Sequence, residues 1–280
     1  TKQPLSEPFY SAQIQVGNRG LISPSLDLTG PLTADGRLRY RLNALVRREE
    51  SFRDLDNSFN RSFIAPTLAW DISDRTDLTV SLEYIEDNDP ADFGLVAIGD
   101  GVADIPLDRV LNNPDDTIAK EYLSAGYTLE HRFSDNWRLR NEFRYVADDF
   151  AYGTIAIPAF FDEASGFLTR LLSTQSNERD NYSLYTNIHG RFNTGSIEHN
   201  LLFGVDLSRE DEILGGRGAI SPQLNPEFFS TIDIFAPDYP LTTPDIDDAP
   251  VTFIRDTTAD RLGIYLQDQI YLLDNLIVLA

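Results

Sequence analysis

The chain has 280 residues, 41% hydrophobic and 24% charged, which suits one large or two ordinary domains and excludes a disordered polymer. Lys and Arg number 23 against 45 Asp and Glu, a net charge of −22, which argues against nucleic acid because phosphate binding needs a basic footprint. Cysteine and methionine are absent, so no disulfide or thiolate metal site holds the fold, and no apolar run reaches the length of a membrane-spanning helix.

Period two recurs along the whole chain, the mark of strands whose successive side chains leave opposite faces. A loose alternation runs from Pro8 to Val16, and Ser25 to Thr29 follows. After the turn Thr33-Ala34-Asp35-Gly36, a hairpin signal, Leu38, Tyr40, Leu42, Ala44 and Val46 share one face against Arg39, Arg41, Asn43 and Arg47. Residues 48–60 read as a loop. Ile64, Pro66, Leu68, Trp70 and Ile72 form the next apolar face, with a bulge expected at Pro66 because proline cannot donate to a ladder. Past the turn at 73–76, Leu78, Val80, Leu82 and Tyr84 alternate with Thr79, Ser81 and Glu83.

Residues 86–120 are rich in Asp, Gly and Pro and read as irregular. The clearest hairpin follows. Leu123, Ala125, Tyr127, Leu129, His131 and Phe133 lie on one side, the turn is Ser134-Asp135-Asn136, and Trp137, Leu139, Asn141, Phe143 and Tyr145 return on that side. The other side carries Glu130, Arg132, Arg138, Arg140, Glu142 and Arg144. Residues 148–178 read as a second irregular stretch. Tyr182, Leu184, Thr186, Ile188 and Phe192 then alternate with Ser183, Tyr185, Asn187, His189 and Arg191. A turn at 193–196 leads into Ile197, His199, Leu201, Phe203, Val205 and Leu207. Residues 209–257 read as a third long stretch before Leu262, Ile264, Leu266 and Ile270, a face that Asp268 breaks without evident reason. Leu273-Asp274-Asn275 is a last turn, and Leu276 to Ala280 begins a strand.

One apolar face edged with aromatics and one face charged with both signs is the pattern of a membrane β-barrel wall; taken alone, the 121–146 hairpin fits a soluble sandwich equally. The order of connections separates the two. Tight turns at 34–36, 73–76, 134–136, 193–196 and 273–275 alternate with long segments at 48–60, 86–120, 148–178 and 209–257, and only the 17–20 link is short where a long one would fit. Up-and-down outer-membrane barrels sort loop length by rim in this way. The expected fold is all-β: an antiparallel up-and-down transmembrane β-barrel, of which this chain holds about eleven strands, the last incomplete. Such a set leaves open edges, so the closed wall is expected to be larger.

Several stretches resemble TonB-dependent siderophore receptors of the ferrichrome-transporter type: TKQPLSEPFY, SLDLTGPL at 25–32, FIAPTLAW at 63–70, NTGSIEHNLLFGVDLSR at 193–209 and LGIYLQDQI at 262–270. The resemblance spans essentially the whole chain. It implies a barrel of roughly 22 strands with a plugged lumen. It implies that residues 1–280 are the first half of that barrel domain, with a plug that engages TonB preceding Thr1 and further strands following Ala280. The lack of an initiator Met and of any signal-type segment at Thr1-Lys2-Gln3-Pro4 agrees with a processed product or fragment. It implies a ferric siderophore as cargo, with no resident cofactor, in the outer membrane, and a monomer when complete. In the family the chelate meets aromatics on the external side. Phe93 in ADFG and Tyr152 in AYGT match such positions, whereas Leu95 and Thr154 stand where the family has further aromatics. Packing within the loops is the plain alternative for both rings. The inward Arg39, Arg41, Arg138, Arg140, Arg144 and Arg191, with Glu130 and Glu142, are candidates for docking the plug through charge-assisted hydrogen bonds, or simply a solvated lumen face.

No chemistry on the ligand is expected. There is no G-x-S-x-G, and His131, His189 and His199 lie on three strands without metal-ligand spacing. Gly215-Gly216-Arg217-Gly218 does not lead a strand into a helix, so it is no phosphate cradle. The acidic run from Glu86 to Asp116 matches no calcium loop and reads as a solvated surface. A passive porin-like channel and an adhesion barrel remain the alternative functions.

Overall fold

A computed structural model describes residues 2–218, 221–239, 244–273 and 275–280. The period-two stretches are strands: β1 (Phe9–Val16), β2 (Ile22–Pro31), β3 (Leu38–Glu50), β4 (Ser58–Ser73), β5 (Thr76–Pro90), the short β6 (Ala97–Ile98) and β7 (Gly101–Val102), β8 (Thr117–Arg132), β9 (Trp137–Asp162), β10 (Phe167–Thr194), β11 (Ile197–Gly218), β12 (Phe229–Asp233), β13 (Val251–Leu273) and β14 (Leu276–Leu279). Every pairing is antiparallel, and the main sheet runs β1-β2-β3-β4-β5-β8-β9-β10-β11-β13-β14, with β12 added beside the tip of β10. β6 and β7 form a separate small hairpin. β1 and β14 each pair on one side only, so the sheet is open.

Register carries the sidedness across the sheet. Tyr40, Leu68, Val80, Tyr127, Phe143, Leu184, Leu207 and Leu262 stand opposite one another in a single cross-strand row. The adjoining row on the other face is Arg39, Ala69, Thr79, Thr128, Glu142, Tyr185, Asp206 and Gly263. The apolar face is bare: Leu68, Val80, Phe203 and Leu207 are each more than 40% exposed. A continuous apolar surface of this extent needs an apolar solvent rather than water. Its lower edge is aromatic. Trp137 lies over Gly190, where a Cβ would meet its ring at 2.4 Å, and stacks on Phe192, which stacks on His199 at 4.8 Å. The same edge accounts for Asp268, whose Oδ2 lies 2.6 Å from His199 Nδ1 while Thr194 Oγ1 meets His199 Nε2 at 2.7 Å. The charge on the apolar face is thus paired beside the tight-turn rim.

Three expectations need correction. Residues 148–178 are not irregular: β9 and β10 continue as a tall hairpin closed by a short turn at 163–166. The alternation fails there because β9 carries an extra residue twice, opposite Ser173/Gln175 and opposite Thr169/Arg170, and each bulge switches the faces. In the same way β11 and β13 reach far into 209–257; residues 219–220 and 240–243 of that stretch lie outside the described residues, as does Asp274 of the last turn. Pro66 makes no bulge. It pairs with Leu42 in unbroken register, and the ladder to β5 skips Ala65 and Pro66 but resumes at Thr67–Ser81 without a shift, so the missing N–H costs a local gap only.

The buried core sits at the long-loop end, not in the wall. Leu111, Leu168, Ile232 and Ile234 are at most 2% exposed and pack with Ala103 and Ile105, uniting the 91–116 segment, the tip of β10 and β12. A second cluster, Leu172, Phe228 and Ala249, adjoins β10. The loops therefore fold into a cap with its own interior.

Candidate ligand-binding site at the external rim

Phe93 and Tyr152, distant in sequence, come together on the charged face at the cap end of the sheet. Tyr152 lies on β9 between Ile118 and Gln175, and its carbonyl accepts Thr174 Oγ1 at 2.9 Å. The Phe93 ring is 6.5 Å from that of Tyr152, and Phe150 meets Tyr152 edge-on at 4.7 Å. Phe150 was not among the sequence candidates, although its place two residues before Tyr152 puts it on the same face by period alone. The three rings form one half-buried aromatic surface, with Phe93 37% exposed.

Beside this surface a cleft of about 370 Å³ opens between the ends of β3, β4 and β5. Phe52 and Phe59 line it with Arg19, Arg47, Arg61 and several carboxylates. The guanidiniums are engaged: Arg61 grips Asp87 through two 2.7 Å bonds, and Glu49 takes both Arg19 and Arg47. Among the described residues no three His, Asp or Glu side chains gather as metal ligands.

Asp92, Asp100, Asp104, Asp108 and Asp115 are exposed, as a solvated acidic run should be, but two of the carboxylates of 86–116 tie the cap together. Asp92 pairs with Arg53 at 3.2 Å. Asp116, 3% exposed, accepts Asn113 N at 2.9 Å, Ala156 N at 3.0 Å and Asn112 Nδ2 at 3.1 Å, and burial pushes its carboxyl above the usual range. Arg109 Nη1 donates to the carbonyls of Ile234 and Phe235. Arg170, fully buried, donates to Asn113 Oδ1 and Ser230 Oγ and lies over the Tyr239 ring. Asp116, expected on a solvated surface, is buried instead, and sequence alone gave no sign of Arg53 or Arg170, because their partners come from distant segments.

All eight wall charges named from the sequence lie on the same face of the sheet, and six are already engaged. Arg39 meets Asp71 at 2.6 Å. Arg41 takes Asp27 at 2.9 and 2.7 Å and the carbonyl of Gln3 at 2.9 Å. Arg140 bridges Glu130 and Glu142 at 3.2 and 3.0 Å, and Arg191 meets Glu198 at 3.3 Å. Arg138 and Arg144 form no ion pair among the described residues.

The family model described as TonB dependent receptor-like, beta-barrel matches residues 67–280. A metal-pseudopaline receptor of Pseudomonas aeruginosa is 30% identical, covering 96% of this chain and 37% of the relative. The ferrichrome outer membrane transporter/phage receptor of Escherichia coli is 24% identical over 75% of this chain and 31% of its own. The chain thus spans about a third of the length of these curated relatives. The pyoverdine outer membrane receptor FpvA of Pseudomonas aeruginosa superposes with a TM-score of 0.81 at 19% identity, over 99% of this chain and 40% of that one. The bare apolar face, the rims sorted into tight turns and a folded cap, and the family match lead to one conclusion: the chain belongs to the TonB-dependent receptor β-barrel family of the outer membrane.

Proposed function

We propose that residues 1–280 form the first half of the barrel domain of a receptor that imports a ferric siderophore of the hydroxamate, ferrichrome-like class. Relatives named for ferrichrome and ferrioxamine B favour that class, and the relative named as a metal-pseudopaline receptor makes metal-pseudopaline the alternative cargo. The observation that carries the reading is the aromatic surface of Phe93, Phe150 and Tyr152 on the inner face at the rim that bears the cap. Small-molecule sites are of this kind, largely apolar with a few placed polar groups, and the Tyr152 hydroxyl is available as donor or acceptor. A plug preceding the chain would close the lumen against the charged face and link it to TonB. Arg138 and Arg144 are then the wall donors left for docking, since the other wall charges are satisfied along the sheet. The complete receptor acts as a monomer and does no chemistry on its cargo.

The test is equilibrium binding of ferrichrome, ferrioxamine B and metal-pseudopaline to the purified complete receptor and to Tyr152→Ala and Tyr152→Phe. Loss of a partly exposed ring is worth about 1–3 kcal/mol, or roughly tenfold to a hundredfold in affinity, and Tyr152→Phe loses less. If every chelate that binds wild type binds Tyr152→Ala equally well, or if no hydroxamate binds at all, the assignment is overturned.

A further inference from the structure

We propose that Arg53 is a positioning residue for Phe93, holding that ring where the chelate meets it; this rests on the reading of Phe93 as part of the ligand surface. Arg53 lies in the 51–57 loop between β3 and β4 and is only 7% exposed. A guanidinium at that depth must find acceptors. Its Nε faces Asp92 Oδ2 at 3.2 Å, and its Nη2 donates to the carbonyls of Gly94, at 3.1 Å, and Arg109. Asp92 and Gly94 are the two neighbours of Phe93 in the chain. They are also tied to each other, since Asp92 Oδ1 accepts Gly94 N at 2.9 Å, with Gly94 at φ +77°. Phe93 therefore stands at the apex of a tight turn gripped on both flanks from a different loop.

That grip matters because the apex of the turn has few other polar ties. Residues 91–96 belong to no strand. The backbone ties at the ends of this segment are Ala91 N to Asp116 O and Ala103 N to Val96 O, and Leu95 and Val96 pack on the buried cluster, so among the described residues Arg53 is the hydrogen-bond tie from another loop at the apex itself. Arg53 is itself fixed: its N–H reaches Ser51 Oγ at 3.0 Å, and the next residue's N–H bonds Asp108 O at 2.8 Å. The guanidinium hydrogen-bonds two carbonyls through Nη2 while its charge sits 3.2 Å from the Asp92 carboxylate, a combination a lysine ammonium on a flexible stem matches poorly. Fixing a recognition ring before the ligand arrives removes an ordering cost from binding.

The experiment uses the complete receptor in detergent, with folding of each variant checked by heat-modifiable electrophoretic mobility. 4-Fluorophenylalanine at position 93 reports the ring directly by fluorine NMR. The expected result is one narrow resonance in the wild-type background, and a broadened or solvent-shifted one with Arg53→Ala; Arg53→Lys falls between. An unchanged resonance in Arg53→Ala overturns the inference whatever the binding results. Ferrichrome and ferrioxamine B binding is then measured for Arg53→Ala, Phe93→Ala and the double variant. Each single change is expected to weaken binding by about tenfold, and the double no further, because Arg53 acts only through the ring. A double variant weaker than either single one makes Arg53 general loop glue and overturns the proposal. If Phe93→Ala binds as wild type does, the ligand reading of Phe93 fails and with it the functional role, while the NMR result still decides whether Arg53 holds the ring.

Discussion

Replacing Asp116 is the sharpest test of the idea that the external loops form one folded cap. Its Oδ2 gathers three donors, the Asn113 and Ala156 backbone N–H groups and the Asn112 amide, at 2.9 to 3.1 Å. Ala156 lies on β9, so this oxygen ties the end of the 91–116 segment to the tall hairpin. Asp116→Ala strands two buried backbone donors at about 1–3 kcal/mol each, while the Asn112 amide keeps the Ala91 and Asn113 carbonyls; after relief from burying a carboxylate, the cap should lose roughly 1–4 kcal/mol of docking stability. Asp116→Asn keeps a carbonyl oxygen for the donors and should cost far less. Amide exchange of the complete receptor, followed at Asn113 and Ala156, reads the opening without disturbing the barrel. Burial raises the folded carboxyl above its unfolded value. Its contribution is therefore fully present below the unfolded carboxylate range and is lost as pH rises through the raised folded value. Wild-type exchange, corrected for its intrinsic pH dependence, should show a step in that window that Asp116→Asn lacks. An unchanged cap in Asp116→Ala, an Asn variant as open as the Ala variant, or a cap that loosens on acidification through the window would refute the reasoning.

Three further outcomes are expected. Leu184→Lys, in the middle of the apolar row between Phe143 and Leu207, should destabilise the folded barrel in bilayers by about 2–4 kcal/mol, measured by reversible urea unfolding, whereas Ser183→Lys on the charged face should cost little. Gly190→Ala should push the Trp137 ring off its seat, since the new Cβ would lie 2.4 Å from it; a shift in the fluorescence component that Trp137→Phe removes checks this. Glu121 stands directly between Glu86 and Asp149, so Glu121→Gln should relieve like-charge contacts and raise barrel stability by at most about 1 kcal/mol, an effect that fades at high salt.

The sequence determined the wall. Within the bilayer one face meets lipid and the other polar groups, so alternation is enforced residue by residue, and Tyr127, Leu129, Leu139 and Phe143 separate from Glu130, Arg140 and Glu142 by parity alone. The tight turns are equally local, written in short polar runs such as Asn193-Thr194-Gly195-Ser196, where Gly195 takes φ +66°. Beyond the bilayer that selection lapses. The upper halves of β9 and β10 are held by backbone ladders, are switched by two bulges and pack against loops on one side, so residues 148–178 lost their period and read as irregular. Asp268 looked like a flaw because its partner, His199, lies 69 positions away. The candidate site divides along the same line. Phe93 and Tyr152 could be singled out through resemblance, and Phe150 follows from Tyr152 by period two. The buried charges of the cap, Arg53, Asp116 and Arg170, each take at least one partner from a segment far away in the chain. Long-range hydrogen bonding leaves no local pattern, and only the tertiary structure decides it.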